Sequence, residues 1–393
     1  MRTATFQALR HRDYNLYFWT QAISLVGTWM QQAALVWLAY DLTGLSTWTG
    51  LVSMATILPT AILAPFSGLL ADRFPKKRIV QLSQTGMLLQ AAGLALLVWS
   101  GRATPEGLVF FSLIAGVLQA IDLPTRLSYM KELTGPDDLA NAVALNSMQF
   151  NLARALGPAL AAGLLALVGP AWCFALNALS YLAFLGGLRS MRAQGIRTSG
   201  PGGQSDILEG LRFACTHPPV GRLLVLVSLV SLVGWPVLSL LPQLAVEQLG
   251  WHEAGYGSLL SAVGAGAVIS SVLVARRGRN ESPWWFLRAG ISVAALGEVV
   301  LALAGSGAAG LAGAFLLGMG LILFIPTAQG VVQMSVADGV RGRVLALWTM
   351  GMSLATPVGN AITGPMADRW GVPIVLLGMA TAMACLLAGT LKK

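Results

Sequence analysis

Charged side chains are scarce in this chain, so where they fall is the first clue to its chemistry. The densest group is Asp72-Arg73-Phe74-Pro75-Lys76-Lys77-Arg78, shortly after Gly68. A carboxylate set among cations suits reversible ion pairing, and Asp72 is suited to capping the positive N-terminus of another helix. Gln119, Asp122 and Arg126 fall on one helical face, with acid and base four residues apart. Ser147, Asn151 and Arg154 recur at intervals of three and four, and Pro158 and Ala161 continue that face. Arg154 lies mid-way along an apolar run, where an arginine costs about 2.5–3.5 kcal/mol to insert and implies a partner. That partner is either a structural counter-ion or a substrate or coupling ion. Glu298 is the one acid deep in the second half, where a bare carboxylate must be protonated or turned toward a polar interior.

Other chemistries lack their residues. No glycine-rich phosphate loop is followed by Lys-Ser/Thr, and no acids, histidines or cysteines fall at metal-ligand spacing. Cys173, Cys215 and Cys385 are isolated and read as apolar filler. No catalytic residue, cofactor or metal is expected, the chain does not read as an enzyme, and its energy source is expected to be a gradient.

The elements that must hold these residues are set by composition. Of 393 residues, 55% are hydrophobic and 10% charged, with a mean hydropathy of +0.70. Soluble domains carry about 25% charged residues, so a bilayer must supply the missing environment. A membrane helix needs about 20 apolar residues. Twelve stretches meet that length, near 15–40, 48–71, 79–100, 106–130, 140–167, 171–190, 220–246, 253–275, 284–304, 307–333, 343–365 and 371–391. Barrel-like alternation is absent, which leaves helices to satisfy the backbone. The first run is a full span rather than a cleavable signal, so the N-terminus is expected to be kept.

The net charge of +9 follows topology. Arg2, Arg10, Arg12, Lys131, Arg189, Arg192, Arg276, Arg277, Arg341, Lys392 and the 73–78 cluster fall on one side, and only Arg102 and Arg369 on the other. By the positive-inside rule both termini are cytoplasmic. The basicity therefore argues against a nucleic-acid partner and for membrane lipids.

Residues 193–219 form the longest loop, a Gly/Ser/Pro-rich linker followed by a short amphipathic helix suited to the inner leaflet. It separates a six-helix bundle at 1–192 from another at 220–393. A shift of 202 positions carries Gly116 onto Gly318, Pro124-Thr125 onto Pro326-Thr327, Leu152-Ala153 onto Leu354-Ala355, Gly157 onto Gly359 and Gly169 onto Gly371. Such internal duplication is a property of transporters whose site lies between two halves near the midplane.

In that topological place, the Gly68–Arg78 loop resembles the loop motif of the major facilitator superfamily, departing from it at Pro75, where the family usually has glycine. Arg154-Ala155-Leu156-Gly157-Pro158 and Gly163 resemble the glycine-proline motif of that family's exporters. Asp122-Leu123-Pro124-Thr125-Arg126, Glu209–Phe213 and Arg341–Leu345 resemble its enterobactin-exporter-like and macrolide-efflux branch. The resemblance implies a major facilitator fold of twelve helices, all-α, in two pseudo-symmetric bundles. It implies a cytoplasmic latch of Gly68, Asp72, Arg73, Lys76 and Lys77, joined by Asp122 and Arg126. It also implies close packing at Gly157, Pro158 and Gly163, and antiport.

A central cavity is then expected to be lined by Gln21, Thr28, Trp29 and Gln31 on helix 1, Gln119, Ser147, Trp235, Gln329, and Ser353, Thr356 and Asn360 on helix 11. Arg154, Asn151 and Glu298 are the expected coupling or substrate residues, helix 1 carrying no acid. The function expected is secondary active export of a bulky amphipathic small molecule (a drug, siderophore or lipid-like metabolite) by proton antiport, from a monomer in the bacterial inner membrane. Proton-coupled import of a small solute is the alternative, and a non-transporting receptor or assembly factor a third reading.

Overall fold

The computed structural model describes the backbone of residues 4–193, 207–277, 282–336 and 338–391, and the side chains of 6–63, 74–193, 212–274, 276, 282–336, 340 and 342–390. Among these residues there are helices and no strands. After a short 3₁₀ segment come α1 (Arg12–Thr43), α2 (Ser46–Arg73), α3 (Lys76–Trp99), α4 (Pro105–Val168) and α5 (Pro170–Ser190). The amphipathic α6 (Ile207–Thr216) follows, then α7 (Pro218–Gly234) and α8 (Val237–Gln243), which ends in a π turn (Leu244–Gln248). The chain closes with α9 (Glu253–Arg277), α10 (Pro283–Ala302), α11 (Gly307–Ser335), α12 (Asp338–Trp370) and α13 (Val372–Leu391).

Among the described residues, ten helices are long and apolar enough to cross a membrane. One of them, α4, runs for 64 residues and carries two of the expected spans. Its only non-helical residue is Gly135 (φ 71°, ψ 175°), with Pro136 restarting the helix. A positive φ is reached without strain only by glycine, and Pro136 has no N–H that the break would orphan. The same device recurs 202 residues apart: Gly169 and Gly371 both stand at φ 83°, each between consecutive helices. The helix α12 covers the eleventh expected span but is not among the ten apolar ones.

By contact the chain forms two compact units, Met1–Leu38 with Leu58–Gly202, and Ala39–Ile57 with Gly203–Lys393. Unlike the expected 1–192, 193–219 and 220–393 boundaries, this division places the end of α1 and the start of α2 in the second unit.

In the first unit, Tyr14, Tyr17, Tyr129, Phe184 and Leu188 form a buried core, with the Tyr17 and Phe184 rings edge to face at 5.6 Å. Small residues let helices approach. A Cβ on Gly157 would stand 2.5 Å from the Trp29 Cβ and 2.8 Å from the Met30 nitrogen. In the second unit α11 is packed by α9 and α10, and Gly290, Gly297, Gly313 and Gly320 sit against opposing backbone. At Gly359 a Cβ would overlap the Leu232 carbonyl of α7, so the duplicated glycines serve duplicated crossings. Close contact of this kind is what membrane helices use where lipid removes the hydrophobic driving force.

Candidate functional site

The turn between α2 and α3 places its charges by the helices on either side. Pro75, at φ −57° and ψ 122°, precedes the first turn of α3. An ordinary proline conformation serves there, so this position needs no glycine. Gly68, Asp72 and Arg73 lie on α2, but their side chains are outside the described residues. Lys76 is 4% exposed, and its Nζ lies 2.5 Å from Glu132 Oε1. Lys77, also buried, donates to the Met191 carbonyl at 2.6 Å, at the C-terminal end of α5. Tyr129 donates to the Ala193 carbonyl, and Asp13 Oδ2 accepts the N–H groups of Arg192 and Ala193 at 2.8 and 2.9 Å. His11 Nε2 is 2.7 Å from Asp138 Oδ2. Lys76 and Lys77 thus serve the interior of their own bundle, while Arg78 is exposed.

Asp122 does not join that group. It is wholly buried and accepts from Ser83 Oγ at 2.7 Å and Gln84 Nε2 at 3.0 Å on α3. Arg126 Nε stands 2.5 Å from its other oxygen, an ion-pair contact without hydrogen-bond alignment. The single latch expected from Lys76 to Arg126 is therefore two centres. One is the Lys76–Glu132 pair, and the other is Asp122–Arg126, deeper between α3 and α4. The reason is geometric: Asp122 lies almost three turns before Glu132 along α4, and its neighbours are the Ser83 and Gln84 polar groups.

The polar faces of α4 and α12 share one gradient. Ser147 is exposed, Asn151 and Arg154 are half-buried, and Pro158 and Ala161 are buried. On α12, Thr349 is exposed, Ser353 and Thr356 half-buried, and Asn360 and Thr363 buried. Arg154 donates to Asn151 Oδ1 at 3.3 Å, and Asn151 to the Ser147 carbonyl at 3.0 Å. Asn360 accepts from Ser239 Oγ at 3.2 Å. Trp29, half-buried, meets the Phe150 ring edge to face at 5.5 Å. Gln119, Trp235 and Gln329 are half-buried on α4, at the end of α7 and on α11.

The stripe on α1 departs from expectation. Gln31, 7% exposed, donates to Gln90 Oε1 at 3.0 Å and accepts from Asn177 Nδ2 at 2.9 Å. Thr28 lies 3.0 Å from the Tyr181 hydroxyl, and Gln21, 3% exposed, donates to Asn146 at 3.2 Å. Gln21, Thr28 and Gln31 thus bond within the first bundle instead of forming a cavity wall. Amide pairs of this sort contribute about 0.6–1.7 kcal/mol each between membrane helices. They were illegible because Gln90 and Asn177 are single polar residues in apolar runs. Gly163 also departs, since a Cβ there meets open space; its exposed face points away from any crossing. Glu298 is fully buried, and neither carboxylate oxygen has a hydrogen-bond partner among the described residues.

Asp368 is a polar centre that the sequence reading missed. Its carboxylate accepts the Ser46 N–H at 2.6 Å, the Thr47 N–H at 2.9 Å and the Thr47 hydroxyl at 2.5 Å, at the N-terminus of α2. The signal in the sequence is an acid at the end of an apolar span, one residue before Arg369.

Comparison with known proteins agrees with this architecture. Macrolide efflux protein A of Streptococcus pyogenes is 22% identical over 400 residues, covering 96% of both chains. The multidrug efflux pump Tap of Mycobacterium tuberculosis is 23% identical, covering 94% of this chain and 90% of that one. The staphyloferrin A transporter of Staphylococcus aureus is 26% identical over 167 residues, 42% of each chain. Among solved structures, the POT family transporter PepTSo superposes with a TM-score of 0.76 at 12% identity, covering 97% of both chains. A bacterial homologue of the human lysosomal transporter Spinster gives 0.73 at 14%, covering 97% of this chain and 95% of that one. The model of the transmembrane secretion effector family matches residues 3–392, and the chain belongs to that family of multi-pass major facilitator transporters, which are not enzymes.

Proposed function

We propose that this protein is a secondary active exporter that carries a bulky amphipathic small molecule out of the cytoplasm by alternating access, in exchange for protons. The observation that carries the reading is the match over residues 3–392 to a secretion-effector family, with two efflux proteins aligned along nearly the whole chain. The expected substrate range follows from macrolide, multidrug and staphyloferrin A transport by those relatives and extends to lipid-like metabolites. The protein sits as a monomer in a bacterial inner membrane with both termini inside, a topology supported by the lysine and arginine asymmetry.

Arg154, with Asn151 and Ser147, is the substrate or coupling cation, supported by its place on the more open part of the α4 face. Glu298 carries the exchanged proton, supported by burial without a hydrogen-bond partner among the described residues. Trp29, Gln119, Trp235, Gln329, Ser353 and Thr356 line the substrate path. Asp72 and Arg73, with Gly68, latch the cytoplasmic end.

Everted vesicles test the reading. Uptake of a macrolide or siderophore panel should depend on an inward-acid pH gradient. Uptake that survives collapse of both that gradient and the membrane potential would overturn coupled export, and accumulation by intact cells would favour import.

A further inference from the structure

We propose that Asp368 is a reversible latch at the N-terminal end of α2, the end away from the 73–78 cluster, holding residues 39–57 within the second unit and releasing them once per transport cycle. The proposal rests on the transport reading above, because a latch of this kind has a use only if the two ends open in turn.

Four observations point to it. First, one carboxylate satisfies two backbone donors and one hydroxyl at the start of α2, where the leading N–H groups have no partner within their own helix. A charged acceptor placed there gains from both capping and the helix dipole. Second, the surrounding bonds tie the same short segment to the same unit. Ser46 Oγ donates to Gln243 Oε1 at 2.6 Å, Thr49 Oγ1 to the Ser239 carbonyl at 2.7 Å, and Tyr40 to Glu247 Oε1 at 3.2 Å. Third, glycines let the backbones close: a Cβ on Gly50 would stand 2.6 Å from the Asn360 carbonyl oxygen, and one on Gly364 2.7 Å from that of Ser46. Fourth, the duplication does not repeat the acid. The position 202 residues earlier is Ala166, so the device is one-sided.

The bonding suits release as well as closure. Ser46 and Thr49 are fully buried, whereas Asp368 and Thr47 are half-buried at the rim. Water can therefore take over the carboxylate's three bonds as the segment leaves. The buried residues beneath, Ser46, Thr49, Ser239 and Gln243, offer hydroxyls and an amide rather than an ion pair, and the Glu247 carboxylate that Tyr40 meets is exposed, so separation leaves no isolated charge in the apolar interior.

Hydrogen–deuterium exchange on the full-length protein in nanodiscs, read on peptides spanning 44–52, tests the latch. In Asp368→Ala the Ser46 and Thr47 amides should exchange at least fivefold faster than in wild type, the scale of a lost cap. Asp368→Asn, which keeps one acceptor and the side-chain shape, should show a smaller rise, and Arg369→Ala none. In vesicles, Asp368→Ala should lose at least four-fifths of panel uptake with membrane insertion intact. Unchanged exchange in Asp368→Ala, or faster exchange with wild-type uptake, would overturn the proposal. Wild-type protein that moves no compound contradicts the export reading instead, and the exchange result then decides alone whether Asp368 holds the segment.

Discussion

At the scale of single residues, the chain spends its few charges in two different ways. Asp122 and Arg126 form a buried pair with Ser83 and Gln84, and removing one member leaves the other uncompensated. Arg126→Met should therefore destabilise the first bundle by about 3–5 kcal/mol, seen as a lower Tm in detergent. Adding Asp122→Asn to that variant should recover part of the loss. Arg154 and Glu298, proposed above as coupling or substrate groups, are a different case. Arg154→Ala should change substrate affinity with Tm close to wild type; failure only through misfolding would mark a structural role. Glu298→Gln keeps the shape but carries no exchangeable charge. It should retain substrate binding by thermal shift and lose at least nine-tenths of gradient-driven uptake, and wild-type uptake would clear Glu298 of proton transfer.

At the scale of elements, close approach decides which glycines matter. Gly157 packs on Trp29 and Met30, and its counterpart Gly359 on Leu232 and Pro236. Valine at either site should cost about 1–3 kcal/mol through overpacking. Gly163→Ala should stay within about 0.5 kcal/mol, since nothing stands near its Cβ. Thermal unfolding of the three variants checks the contrast. Helix positions were legible because length and apolarity alone set them: the expected spans 15–40 and 171–190 fall within α1 and α5. The turn at Gly169 and its echo at Gly371 were legible through the 202-residue shift. Side-chain direction was not. Gln31 and Ser147 are both polar residues on helices with polar stripes, yet one bonds Gln90 and Asn177 while the other is exposed. A helical stripe fixes a face relative to its own axis, and only the neighbours fix what that face meets. Asp368 escaped for the same reason, since its partners Ser46 and Thr47 are more than 300 residues away in sequence.

At the scale of the whole molecule, the sequence duplication and the packing divide the chain differently. The duplication splits it at the 193–219 loop, whereas contact assigns residues 39–57 to the second unit. The bonds to Asp368, Gln243 and Ser239 account for that assignment. Topology has its own test: alkaline phosphatase fused after Lys393 should be inactive and a fluorescent protein there bright, and an active phosphatase would reverse the assigned orientation. Gradient-driven export is decided by everted vesicles with an imposed pH gradient. Panel uptake should rise with the inward-acid gradient and fall to background when gradient and potential are both collapsed. Uptake that continues undiminished after the collapse would contradict it.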